Sequence, residues 1–142
     1  MVRPFLSLLS LALAAAPLPS QAEELPPKSL WSFAKFHTHP GMTDEYLQFL
    51  ATVWKAQREA LKEEGVVLSY HVFTVKAQRE GEPDIIIATE YADYVSFARR
   101  AELEKIVRQK LKTNPPQGAP GTDLETMREW LGSMDLEEID LN

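Results

Sequence analysis

Two stretches of this chain are apolar on both faces of a strand, and that limits the folds open to it more than any other feature. In residues 30–39 (LWSFAKFHTH), one face would carry Leu30, Ala34 and Phe36 and the other Trp31 and Phe33. In residues 66–77 (VVLSYHVFTVKA), Val66, Leu68, Tyr70 and Val72 alternate with Val67, Ser69, His71, Phe73 and Val75. Successive side chains of a strand point to opposite faces of its sheet. An antiparallel sheet with one layer of helices normally turns its other face to water, and that face is then polar. These strands therefore need cover on both sides.

The rest of the chain supplies only one layer. The first strand stops at Pro40-Gly41, a turn signal. Thr43 reads as an N-cap, with Asp44 and Glu45 placing negative charge in the first turn of a helix. That helix carries Leu47, Leu50, Trp54 and Leu61 at helical spacing, widened by Phe49 and Val53, and should stop at Gly65. After the strand at 66–77, Gly81 and Pro83 mark a turn into a third strand at 85–91 (IIIATEY), making a hairpin. Asp93 reads as the cap of a second helix to about residue 112, with a break near Arg100. Residues 114–121 (NPPQGAPG) form an open loop. Thr122 and Glu125 make a capping box for a short helix through Leu124, Met127, Trp130 and Leu131, ending at Gly132. An acidic last strand is expected at 136–141. The order β-α-β-β-α-(α)-β is the split β-α-β pattern of ferredoxin-like α+β domains. With one helical layer available, the simplest source of the second cover is another copy of the chain, so a homodimer is expected.

The N-terminus has a different character. One positive charge, Arg3, precedes a run from residue 5 to residue 16 that is apolar apart from Ser7 and Ser10. Pro17 and Pro19 follow, and Ser20-Gln21-Ala22 sets small residues at the −3 and −1 positions of a cleavage site. The run is shorter than the roughly 20 residues needed to span a bilayer. It reads as a cleavable signal peptide, residues 1–22, cut after Ala22, for a periplasmic or secreted protein without membrane insertion of the mature chain. A leader at 23–29 (EELPPKS), expected to be disordered, then precedes a single domain at 30–142. Cleavage leaves 120 of the 142 residues, enough for one core. There is no cysteine, so no disulfide framework supports the fold. Loss of Arg3 leaves 14 basic against 21 acidic residues, a net charge of −7, which argues against nucleic acid or anionic membrane surfaces as partners.

The segments KFHTHPGMTDEYLQFL at 35–50 and YADYVSFARR at 91–100, with the helix stop at Gly65 between them, resemble the dimeric α-β barrel superfamily. This group of ferredoxin-like domains, whose sheets pack face to face, includes the NIPSNAP proteins, the antibiotic-biosynthesis-type monooxygenases and the haem-degrading monooxygenases. The resemblance spans nearly all of the mature chain as a pattern of elements. More closely, the chain is similar to exported proteins of about this size in Gram-negative bacteria. The haem-degrading members use an Asn, Trp and His set. Trp54 and His71 are present here, but no Asn precedes residue 114. No catalytic residue is therefore carried over, and no cofactor is implied.

The residues able to carry chemistry are few. His37 and His39 lie two apart on the first strand, and His71 lies on the second. With the third strand between them, His37 and His71 are separated by about 10 Å of backbone. A three-His metal site, with ligand bonds near about 2 Å, is not expected. His39, beside the turn, reads as a solvated strand end. Trp31, Phe33, Lys35, His37, Ser69, His71 and Phe73 would instead line a mostly aromatic cavity with a few converging polar groups, the usual character of a small-molecule site. The same residues also suit an ordinary interface, with the histidines bonded to backbone or water. Lys35 needs either a wet mouth or an acid there. Glu90 is the nearest acid by strand order, unless Tyr91 points inward instead. An anionic aromatic ligand fits such a wall.

Trp54 and Trp130 read as core. Arg99, Arg100, Lys105, Arg108, Lys110 and Lys112 are interleaved with Glu102 and Glu104, giving Arg100–Glu104 and Glu104–Arg108 as i,i+4 pairs on a solvated face. No phosphate loop, cysteine nucleophile or nucleophile elbow is present. Three functions stay open: a homodimer binding a small apolar or aromatic molecule, a metal-independent monooxygenase-like enzyme, and a structural or interaction subunit with a filled barrel.

Overall fold

Strands β1 (Leu30–Thr38), β2 (Val67–Thr74), β3 (Ile85–Tyr91) and β4 (Arg128–Glu137) form one antiparallel sheet in the spatial order β2-β3-β1-β4. With helices on one face, this is the ferredoxin-like α+β arrangement read from the sequence. The computed structural model describes residues 29–76, 78–121 and 123–139. The segment read as an export signal, its cut after Ala22, the leader up to Lys28, and Thr122 of the capping box lie outside the described residues. Among the described residues, no helix is long and apolar enough to cross a membrane.

The first helical run consists of α1 (Thr43–Phe49), a π-helical turn at Leu50–Trp54, and α2 (Lys55–Glu63), with helical backbone at each junction. Met42, not Thr43, occupies the N-cap position, and the Thr43 hydroxyl is 2.7 Å from that of Thr38. The cap expected from Thr43 is therefore replaced by a bond that ties the helix to the end of β1. Gly65, at φ 71°, ends α2 in a Schellman turn: Gly65 N–H donates to Lys62 C=O and Val66 N–H to Leu61 C=O.

Three other expectations are corrected. A bulge between Val67 and Ser69 shifts the phase of β2, placing Val67 on the helix-covered face with Tyr70 and Val72 and leaving Leu68 exposed. Helix α3 (Phe97–Thr113) starts later than Asp93 suggested and runs past Arg100 without a break. Its N-cap is Ser96, whose hydroxyl accepts the Arg99 N–H. Finally, α4 (Leu124–Met127) is a single turn, and β4 begins at Arg128 and absorbs the stretch expected to be helical as far as Gly132. The reason is non-local. β1 has an open edge of hydrogen-bonding groups, and pairing along its whole length outweighs the helical spacing of Trp130 and Leu131. Gly132, at φ 120°, sits where the β1–β4 register shifts, a backbone that glycine adopts without strain. Trp130 is consequently 61% exposed on an edge strand instead of buried, whereas Trp54 is core as expected.

The core between sheet and helices gathers Phe36, Tyr46, Leu50, Trp54, Ile85 and Met127, with a second group of Leu61, Val67 and Leu103. Tyr46 is edge-on to Phe36 (centroids 5.7 Å) and stacked on Phe49 (6.2 Å), and the Arg128 guanidinium lies 4.0 Å from the Phe36 ring centroid. Asp84 closes this end of the sheet. Its carboxylate accepts the Thr38 N–H at 3.0 and 3.1 Å and also the Thr38 hydroxyl.

Burial pushes the Tyr46 phenol from 10.0 up to about 12; the Asp84 charge adds to the shift and Arg128 opposes it. A folded-state value above the unfolded one means that the fold favours the neutral phenol. That contribution is fully present below pH 10.0 and lost as pH rises towards about 12. Denaturant titrations should therefore show stability falling through this alkaline window. Tyr46→Phe, which cannot ionise, should have a shallower fall. An identical fall in the variant would place the alkaline transition elsewhere.

Candidate functional site

The register lays the expected site residues out on one face, the one turned away from the helices. Trp31, Phe33 and Lys35 stand opposite Glu90, Ala88 and Ile86, and across β3 the same three residues face Ser69, His71 and Phe73. On the other side of β1, Leu136 pairs with Trp31 and Met134 with Phe33. Neighbouring strands are about 4.8 Å apart, so Phe33 and His71 flank Ala88 at roughly 10 Å from each other. Ala88 is fully buried, and its single methyl leaves a slot between the larger rings.

Four rings form an arc around that slot. Trp31 stacks on His71 with centroids 6.0 Å apart at 25°, Trp31 meets Phe33 at 6.0 Å, and His71 meets Phe73 at 6.0 Å. The result is an open depression of about 540 Å³, bounded also by Leu136. Glu137 and Glu138 form its acidic rim, and the Trp31 indole N–H donates to Glu138 Oε2 at 3.4 Å. Such an arrangement can hold a flat apolar group between rings, with polar atoms at the edge.

Not every expected residue joins it. His37 lies further along β1, where its Nδ1 is 3.2 Å from Gln78 Nε2, a group that also donates to the Glu82 carbonyl. Glu90 does share this face, but Ser69 Oγ donates to it at 2.6 Å and it stands in the row of Trp31, not of Lys35. Tyr91 points to the helix side, where its hydroxyl accepts from Arg58 at 3.2 Å. Lys35 is half-buried in the row of Ile86 and Gly132. His39 directly follows β1 and stays partly exposed, with its ring Nε2 3.2 Å from the Glu125 carbonyl and its backbone N–H donating to the Met127 carbonyl. Among the described residues, no three His, Cys, Asp or Glu side chains come together as metal ligands.

A second cavity, about 650 Å³, lies on the opposite face, between α2, α3 and the sheet. Leu61, Leu103, Val107 and Leu111 line it together with Arg58, Arg100 and Arg108. The sequence carried a signal for it. Leu103, Val107 and Leu111 repeat every fourth residue beside Arg100, Glu104 and Arg108, so α3 presents an apolar and a charged stripe side by side. The expected Arg100–Glu104 and Glu104–Arg108 pairs are not formed. Arg100 Nε donates to the Val95 carbonyl at 3.1 Å, and the ion pairs among the described residues are Arg99–Glu102 and Lys110 with Glu63 and Glu64.

Among solved structures, the chain is similar to HapK from Hahella chejuensis, with a TM-score of 0.54 and 13% sequence identity. The match covers 80% of this chain and 95% of that one. The shared property is the fold. No family model matches the chain. No curated protein matches it.

Proposed function

We propose that the chain is an exported homodimer of the dimeric α-β barrel type, whose two sheets face each other and enclose a small apolar or aromatic molecule above Ala88. The observation that carries this reading is the arc of Trp31, Phe33, His71 and Phe73 around a one-methyl floor, on a face that the helices of the described residues do not cover. Phe73, Met134 and Leu136 are exposed on the same face. A contiguous apolar patch of this kind is a mark of association or ligand binding. The ring faces favour a flat aromatic ligand whose polar edge points away from the carboxylates of Glu137 and Glu138. Export rests on the residue pattern at 1–22.

The test uses anilinonaphthalene sulfonate, an anionic aromatic fluorophore, on the wild-type protein and on Ala88→Leu. The larger side chain fills the slot between the rings. Saturable binding near one site per chain is expected in the wild type, weakened about tenfold or more in the variant, as about 1.4 kcal/mol of lost contact would give. Unchanged affinity in Ala88→Leu, or no saturable binding at all, would count against the site.

A further inference from the structure

The groove between α2 and α3 raises a separate question, because its charges are left without the partners that would explain them. The chain is acidic overall, yet three guanidinium groups line this one cavity. Among the described residues, none of the three forms an ion pair with a carboxylate. Arg58 donates through Nη1 to the Tyr91 hydroxyl and lies 5.6 Å from the Trp54 ring centroid, while its buried Nε has no partner. Arg100 uses Nε on a backbone carbonyl, which leaves the outer edge of its fork uncommitted. Burying the Arg58 Nε donor is unfavourable unless something accepts from it, whereas the exposed Arg100 and Arg108 can be solvated at the groove's rim.

We infer that this groove is a binding site for a single-chain amphiphile with a carboxylate head, distinct from the aromatic depression on the other face of the sheet. The shape of the lining selects the chain. Leu103, Val107 and Leu111 extend over two turns of α3, about 12 Å at the helical rise, roughly the length of an extended dodecyl chain, and Leu61 and Leu30 complete the apolar lining. The charges select the head. Planar guanidinium forks match a carboxylate in pairs of parallel hydrogen bonds. The same cavity also contains Glu104 and Asp135. Three cations against two carboxylates leave room for one added negative charge and oppose a doubly charged head. The volume, about 650 Å³, lies within the range of small-molecule sites.

Dodecanoate and its uncharged counterpart dodecan-1-ol are the probes, titrated calorimetrically below micelle formation at about pH 8, where a carboxylic acid is ionised. Dodecanoate should bind once per chain, and dodecan-1-ol at least about tenfold more weakly, since charge-assisted hydrogen bonds are roughly twice as strong as neutral ones. Arg100 and Arg108 are exposed on α3, so the double variant Arg100→Gln/Arg108→Gln keeps the fold. It should lose about tenfold in dodecanoate affinity with little change for the alcohol. Glu104→Gln removes one of the two carboxylates in the lining and should tighten dodecanoate severalfold, a gain that misfolding cannot produce. Ala88→Leu, which blocks the other face, should leave dodecanoate binding intact, so this inference and the proposed aromatic site can fail separately. Equal affinity for acid and alcohol, dodecanoate binding unaffected by the arginine changes, or binding abolished by Ala88→Leu would each overturn the assignment.

Discussion

Truncating Tyr46 to alanine is expected to remove about 3–5 kcal/mol of folding stability, the range seen when a large buried aromatic is cut back to a methyl. The ring is 1% exposed and holds three partners at once: Phe36 edge-on, Phe49 stacked, and the Arg128 guanidinium 5.2 Å from its centroid. None of these can follow the lost ring without moving a strand or helix, so a cavity persists, and Arg128 loses one of the two aromatic faces over which it lies. Domains of this size are stable by only about 5–15 kcal/mol, so the variant should unfold at much lower denaturant. Urea titration followed by circular dichroism measures the change. A loss below about 1 kcal/mol would mean that the core closes over the gap. Tyr46→Phe serves as the control, since it keeps the packing.

Phe33→Glu is expected to have the largest effect on assembly while leaving the chain folded. Phe33 stands on the sheet face away from Tyr46, Trp54 and the helices, so it is not part of the core of a single chain. If two sheets meet face to face, a carboxylate here is taken out of water beside Trp31, Ala88 and Met134. An unpaired buried charge costs several kcal/mol, which corresponds to roughly a thousandfold in dissociation constant. Sedimentation at micromolar concentration should show the wild type as a dimer and the variant as a monomer with unchanged far-ultraviolet circular dichroism. A wild-type monomer, or a variant that still dimerises, would move the interface away from this face.

The parts of this fold that were legible in the sequence are those determined by neighbours in the chain. β3 was read to its ends because a run of three isoleucines is bounded by Pro83 and Asp93, and α2 stops where Gly65 allows a left-handed residue. The alternation of β1 and β2 put the expected residues on one face, since a period of two survives wherever no bulge intervenes. Only Trp31, Phe33, His71 and Phe73 line the depression, while Lys35, His37 and Ser69 lie outside its lining. What stayed hidden depends on distant partners. Trp130 and Leu131 have helical spacing, and only the presence of β1 alongside makes that stretch a strand. Nothing local announces the bulge after Val67. His37 is drawn away by Gln78, which reaches it from the β2–β3 loop. The arginines of α3 look paired along the chain, but Arg100 turns to a carbonyl instead of to Glu104, and the groove beneath them was missed for that reason.

The pairing of β1 with β4 also sets the order in which the molecule can be completed. Leu30 at the start of the first strand stands in register with Glu137 at the end of the last, so the central strand acquires its second neighbour from the far end of the chain. Contacts that distant close a long loop before they gain anything, and they slow folding. A chain delivered N-terminus first therefore holds β2, β3 and the first helices well before its sheet can close, and Met127, wholly buried beneath the arriving strand, is among the last core residues to be seated. Until then the edge of β1 stays unpaired beside an apolar face. The hazard of wrong pairing is thus greatest in the interval between synthesis of α3 and arrival of Arg128.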